Sequence, residues 1–276
     1  MQNSNPLLAA FAMIVSVSTA IASTPLTTST STQPLCQGQS GSQVMPLVEL
    51  YTSEGCSSCP PADRWLSRVY ANHQANFLAF HVDYWDRLGW PDRFAQPAYS
   101  ARQRQRVNAA GERTVYTPQV MVGTQIQVDW RSDADFTRVL AGERRPATMS
   151  LALSMDSTAA GAQIRLEATR LQPSNGESSQ VWLAQYSDAE VTRVEHGENG
   201  GATLHHDRVV RQLWGPWTLG SEPIVQLVGL QHVDLQHVDL QHALASGGVT
   251  AFAQDQTGRV QQSLSLAGES CASAHE

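Results

Sequence analysis

The sequence predicts an α/β domain over residues 44–146 followed by an all-β, sandwich-like domain over residues 147–270, and three observations carry this. An apolar run at 44–51 leads into Cys56-Ser57-Ser58-Cys59 and then into residues with helical apolar spacing. Residues 75–83 read as a second strand, rich in aromatic and β-branched side chains, so a strand–helix–strand unit results. From Ala147 onward the apolar period changes to two, as in Met149, Leu151, Leu153 and Met155, and several short strands with turn chemistry between them suggest an antiparallel sandwich.

In chain order, residues 7–22 are apolar and end in Ala20-Ile21-Ala22, the small-x-small pattern of a signal peptidase site. Residues 1–22 therefore read as a signal peptide, although its start carries no Lys or Arg. Residues 23–43 form a flexible linker rich in Ser, Thr and Gln. No later segment is apolar enough to span a membrane, so a periplasmic or secreted location is expected. The net charge of −7 argues against a nucleic-acid partner. All 18 basic residues are arginine, which excludes chemistry that needs a lysine.

Pro60-Pro61 can open a helix without losing a needed N–H, and Trp65, Leu66, Val69 and Tyr70 share one face of it. Cys56 then lies at a helix N-terminus, where the dipole and unpaired N–H groups favour a thiolate. Strand, C-x-x-C and helix in that order is the thioredoxin context. The same spacing serves zinc, but a zinc site normally adds a second Cys or His pair, and no second C-x-x-C exists here. Redox-active thiols, a structural disulfide and a metal site are the readings the motif permits, and no cofactor is called for. Cys36 and Cys271 are a candidate structural disulfide tying the two ends of the mature chain; alternatively one of them resolves Cys56.

Residues 84–113 place Trp85, Trp90, Phe94 and Tyr99 among Arg87, Arg93, Arg102, Arg104, Arg106 and Arg113, and from Pro97 to Ala110 the pattern is helical with a polar, arginine-rich face. Residues 115–123 put Pro118 directly before an apolar strand, with 124–128 able to pair back. Ser132 caps a short helix whose apolar face is Phe136, Val139 and Leu140. Further strands are expected at 180–186, 223–229, 249–254 and 259–266, the last two joined by the turn Asp255-Gln256-Thr257-Gly258. Residues 230–242 hold two complete copies of a pentapeptide and part of a third. Its histidines recur every five residues, which disperses them on a strand or a helix, so a duplicated surface loop is expected rather than a metal site.

Residues 48–63, 81–90 and 116–119, with 197–199, 209–211 and 252–255, make the chain resemble secreted bacterial thioredoxin-like proteins of a family of unknown function that share a Gly-Cys-Ser-Ser-Cys-Pro-Pro-Ala-Asp motif, here residues 55–63. The resemblance covers about residues 44–266. It implies that Thr117-Pro118 is a cis bond facing the cysteines and pairing with an extended substrate. His81, Asp83, Tyr84 and Trp85, just past the second strand, become candidates for the wall of the site. Ordinary thioredoxins carry an aromatic residue where this chain has Glu54-Gly55; Gly55 is expected to open access to the sulfur, and Glu54 to raise the thiol pKa.

The function expected is an exported thiol–disulfide oxidoreductase acting on protein or small-molecule disulfides through Cys56 as nucleophile and Cys59 as resolving thiol, with Thr117, Pro118, Tyr84 and Trp85 binding substrate and Glu54, Gly55, His81 and Asp83 modulating the site. Its partners are protein thiols or disulfides and an unidentified redox partner, and the arginine and aromatic segment after Trp85 shapes the partner surface. Two alternatives are a periplasmic copper chaperone holding Cu(I) with Cys56, Cys59 and a histidine such as His81, and a catalytically silent envelope interaction module.

Overall fold

The strand β2, Leu47–Thr52, is buried at all six positions, and β3, Asn76–His81, at five of six. Strands apolar on both faces belong in the middle of a sheet with layers on both sides. They pair in parallel, Leu47 opposite Asn76 through Thr52 opposite His81. Between them runs α1, Pro60–Val69, which starts at Cys59 and turns Ala62, Asp63, Trp65 and Leu66 inward. The computed structural model describes residues 1–2, 36–72, 74–158, 161–173, 177–230, 246–268 and 271. The expected signal peptide and the pentapeptide repeat after Leu230 lie outside the described residues. Among the described residues no helix is long and apolar enough to cross a membrane.

After β3 come a 3-10 helix, Asp83–Leu88, then α2, Pro97–Ala109, then β4, Gln119–Val122, antiparallel to β2. Residues past β4 fold back on it through Val122 and Gln125. The helix α3, Asp133–Glu143, is capped by Ser132 accepting from the Asp135 N–H, and buries Phe136 and Leu140. The short β1, Cys36–Gln39, precedes all of this. The later strands are β5 Met149–Thr158, β6 Gly161–Arg170, β7 Ser179–Ser187, β8 Glu190–Arg193, β9 Thr203–His206, β10 Val209–Leu219, β11 Ile224–Leu230, β12 Gly247–Gln254 and β13 Val260–Ala267.

These strands do not divide at residue 147. A seven-stranded mixed sheet runs in the order β13-β12-β7-β10-β3-β2-β4, a four-stranded sheet in the order β1-β5-β6-β11, and β8 pairs only with β9. The join is β10, which lies parallel to β3 with Val209 opposite Ala79 and the Ala79 N–H donating to the Arg208 carbonyl at 2.8 Å. The expected α/β thioredoxin-like domain with a separate sandwich is therefore corrected: the described residues are 43% strand and 20% helix, and one sheet carries both halves. Without β10, β3 would be a buried-type strand left at an open edge, which proteins avoid. The three sheets and the helices described above fall in one compact unit.

Packing shows why the halves are inseparable. On one face of the long sheet, α1 and α3 cover Val48, Leu50, Phe77, Ala79, Val120 and Val122. On the other, α2 contributes Tyr99 and Val107 to a cluster joining Tyr51 and Phe80 to Trp182, Tyr186 and Phe252 from the C-terminal half. The four-stranded sheet closes a third core over Val181, Leu183, Val249 and Ala251. Arg102 and Arg106, expected on a solvated face of α2, instead point inward: Arg102 Nη2 and Arg106 Nη1 each lie 2.6 Å from Glu49 Oε1. Arg102 also reaches Gln254 Oε1 at 2.9 Å and lies over the rings of Phe80, Trp182 and Phe252. Cys36 and Cys271 are joined by a disulfide that ties β1 to the chain end across 235 positions. The chain-entropy contribution of so long a loop is roughly 5 kcal/mol.

Candidate functional site

At the end of β2 the chain turns through Ser53, Glu54 and Gly55, with the Cys56 N–H donating to the Ser53 carbonyl at 3.2 Å. Pro60 and Pro61 have no N–H to give, so the first turn of α1 closes from Ala62 and Asp63, both donating to the Cys59 carbonyl. Cys56 and Cys59 are disulfide-bonded across this helix start. Neither is exposed: both have 0% of their surface in contact with solvent. The expectation that Gly55 opens the sulfur to solvent is thus overturned. A Cβ on Gly55 would sit 3.1 Å from Trp85 Cβ, so the missing side chain is what lets Trp85 pack against this turn.

The cover has two parts. The first comes from the expected wall: Trp85 Nε1 donates to Thr117 Oγ1 at 2.8 Å, Ser58 Oγ donates to the Thr117 carbonyl at 3.4 Å, and the Thr117–Pro118 bond is cis. Tyr84 donates to Gln103 Oε1 on α2, and Gln103 in turn donates to the Tyr116 carbonyl, so Tyr84 holds the Thr117 loop from behind. Asp83 pairs with Ser100 of α2, its N–H donating to the hydroxyl and its carboxylate accepting from it, and so serves the 3-10 helix and α2.

The second part was not assigned to the site from sequence. The turn between β8 and β9 brings Glu198 and Asn199 to the backbone of the Cys56–Cys59 loop. Glu198 Oε2 accepts from the Ser57 hydroxyl at 2.7 Å and the Ser57 N–H at 3.1 Å. Asn199 Nδ2 donates to the carbonyls of Glu54 and Cys56 at 2.8 and 3.0 Å. Gly197, at φ +76°, has Trp90 Cβ 3.2 Å from where its own Cβ would be, so a side chain there would be strained and would crowd Trp90. The only trace of this in the sequence was the Gly197-Glu198-Asn199 block, which carried the family resemblance and no role.

Beneath the disulfide lies a buried cluster of Glu54, Asp63, His81, Asp92 and His206. His81 Nδ1 is 2.6 Å from Asp92 Oδ2, and that carboxylate also accepts from the N–H groups of Glu54 and Phe94. Burial raises the Asp92 pKa, but the His81 charge and these hydrogen bonds outweigh it and hold it below the usual carboxylate range. Burial likewise lowers His81, and Asp92 more than reverses it. The remaining groups have less support. Glu54 Oε2 accepts from Trp90 Nε1 at 2.8 Å, and burial pushes its pKa up. Burial takes Asp63 up to about 7. His206, brought by β9, is pushed down to about 3 by burial and by the His81 charge. Of these five residues the sequence assigned roles to Glu54 and His81; Asp63 ends the motif at 55–63 but carried no role, and Asp92 and His206 carry no pattern that marks them.

The copper alternative needs Cys56, Cys59 and His81 to converge, and His81 Nδ1 is engaged with Asp92. Among the described residues no three or more His, Cys, Asp or Glu side chains are arranged to hold a metal ion.

Among curated proteins none matches the chain. Two solved structures share its fold. The crystal structure of protein AGR_C_4864 from Agrobacterium tumefaciens is 23% identical, with a TM-score of 0.59 over 82% of this chain and 95% of that one. HBP35 of Porphyromonas gingivalis is 10% identical, with a TM-score of 0.61 over 83% of this chain and 76% of that one. Residues 47–238 match the family described as protein of unknown function (DUF1223), and the chain belongs to that family.

Proposed function

We propose that the protein is an exported thiol–disulfide oxidoreductase working at Cys56 and Cys59. The observation that carries this reading is the position of the pair: a two-residue spacer closes the disulfide at the start of α1, where the helix dipole favours a thiolate on Cys56 once the bond is reduced. The Thr117–Pro118 loop stands beside it through Ser58 and Trp85. The resemblance of residues 55–63 to the motif of secreted thioredoxin-like proteins supports the same chemistry. Export agrees with the apolar segment at 7–22 and with two disulfides, which persist in oxidising compartments. Cys56 attacks a protein or small-molecule disulfide as thiolate, Cys59 resolves the mixed disulfide, and an unidentified redox partner resets the pair. Because both sulfurs are covered, exchange requires the Glu198–Asn199 turn to lift.

That burial favours a second reading, in which the bond is purely structural and the protein is a silent interaction module. Equilibration with glutathione buffers separates the two. The enzyme reading expects a midpoint in the range of roughly −270 to −120 mV found for redox proteins; a value below about −300 mV, as in structural disulfides, removes it. Cys59→Ser should then trap substrates on Cys56 as mixed disulfides in the periplasm.

A further inference from the structure

His206 stands between two carboxyl groups, one from each side of the cysteine pair. Glu54 lies two residues before Cys56, and Asp63 lies one helical turn after Cys59, its N–H bonded to the Cys59 carbonyl. His206 Nε2 is 3.7 Å from Glu54 Oε1, and His206 Nδ1 is 3.7 Å from Asp63 Oδ2. That separation is too long for a hydrogen bond. None of these four atoms has a hydrogen-bond partner among the described residues, although all are buried. Buried polar atoms are almost always paired, and exceptions gather at working sites.

Counting protons shows what the arrangement holds. A neutral imidazole has one N–H donor and one lone pair. Between two carboxylates its lone pair would face negative charge; with one added proton, every facing pair becomes donor and acceptor. That proton can sit on Glu54, on Asp63 or on the ring. The other ionised and polar groups facing the bridge are the His81–Asp92 pair, Arg93 and His205 around His206, Arg64 and Thr52 near Asp63, and Trp90 and Thr192 near Glu54. Burial raises both carboxyls, Asp63 to about 7, so that Asp63 can take up and release a proton near neutral pH.

We propose that Glu54, His206 and Asp63 form a proton bridge that carries one proton from the Cys59 side to the Cys56 side in each turnover. The proposal rests on the exchange chemistry assigned above. With both cysteines reduced, Cys56 releases its proton to solvent and attacks R–S–S–R′ as thiolate; the Cys56–S–R bond forms, the R–S–S–R′ bond breaks, and R′S⁻ leaves and takes a proton from solvent. Cys59 then loses its proton to the Asp63 carboxylate and attacks Cys56 Sγ, so that the Cys56–Cys59 bond forms and RS⁻ leaves. With the neutral ring carrying its hydrogen on Nε2 and Glu54 ionised, the proton crosses as His206 Nδ1 takes one from Asp63 while Nε2 gives one to Glu54, which protonates RS⁻. Two thiols lose two electrons, the substrate disulfide gains them, and both protons end on RSH and R′SH. His206 is a positioning residue in this scheme, since it acts through the two carboxyls.

The test is rapid mixing of the reduced full-length protein with oxidised glutathione, acid quenching, and mass spectrometry of the Cys56–glutathione mixed disulfide and of the re-formed Cys56–Cys59 bond. For the wild type, the resolution rate should follow ionisation of Asp63, rising about tenfold from about pH 6 to about pH 8 and levelling off above about pH 7. For His206→Gln, which keeps polar atoms but cannot pass a proton, resolution at about pH 6 should slow on the order of 10²-fold and rise with hydroxide, while mixed-disulfide formation changes far less. Asp63→Asn should give the same profile, and it decides the matter if His206→Gln does not fold. A wild-type resolution profile in either folded variant overturns the bridge and leaves the oxidoreductase reading intact. A wild type that forms no mixed disulfide overturns both.

Discussion

Two buried clusters of ionisable groups flank β2, and they are built on opposite rules. Around Glu49 the hydrogen bonds are nearly complete: the carboxylate takes Tyr51 Oη at 2.6 Å and both guanidinium groups, and Arg106 also donates to the Gly123 carbonyl. The two unpaired nitrogens of Arg102 belong to a guanidinium lying against three aromatic rings. Burial alone would raise the Glu49 pKa, but Arg102 and Arg106 reverse that and hold it far below the carboxylate range. It stays ionised throughout the physiological range. Around His206, by contrast, the facing atoms are unpaired and the carboxyls are displaced toward neutral pH. The first cluster staples α2 to both halves of the sheet; the second can change its proton count.

Three substitutions sharpen the contrast. The largest effect is expected for Glu49→Ala, which leaves two guanidinium groups buried without their carboxylate and should cost about 3–5 kcal/mol in denaturant unfolding. The Cys56–Cys59 midpoint potential should not move. A shifted potential would show that the two clusters are coupled and would break the distinction.

Asp63→Asn should act through pH. In the folded protein Asp63 keeps its proton up to about 7, whereas its ordinary value is 3.8, so the folded state binds more protons between these values. Its stability contribution is therefore full below the unfolded pKa and lost as pH rises through the folded one. Stability of the variant relative to wild type should climb from about pH 4 to about pH 7, by no more than about 4 kcal/mol. His206 works in the other sense, costing stability as pH falls below 6.5, because the folded state resists protonation down to about 3. A pH-independent difference between Asp63→Asn and wild type would mean that Asp63 titrates normally.

The smallest effect is expected for Asn199→Ala. It removes two hydrogen bonds of the cover, about 1–2 kcal/mol together, and should raise the rate of reduction by a small phosphine roughly 5- to 30-fold. An unchanged rate would show that the Glu198–Asn199 turn is not what seals the disulfide.

Local chemistry was legible in the sequence. The Pro60-Pro61 start of α1, the Ser132 cap of α3, and the turn at Asp255, where Gly258 takes φ +83°, formed where the residue types called for them. The strand that decided the fold was not legible. β10 contains Gly215-Pro216, and proline within an apolar run argues against a strand; the structure absorbs it in an irregularity between Trp214 and Trp217. The inward arginines of α2 were equally hidden, because their partners Glu49 and Gln254 lie 53 and 152 positions away from Arg102.

By itself the sequence determined the C-x-x-C spacing, the proline-led helix that follows it, the absence of lysine and the alternating strands of the C-terminal half. Each of these depends on near neighbours, through backbone dihedrals, missing N–H groups or side-chain period. Only the tertiary structure decided that one sheet joins the halves, that Glu198 and Asn199 bond to the loop holding the disulfide, and that His206 lies between Glu54 and Asp63. Those contacts cross 129 to 152 positions of chain. They exist because β10 must cover the open edge of β3, and the β8–β9 hairpin that precedes it is thereby carried over the cysteines.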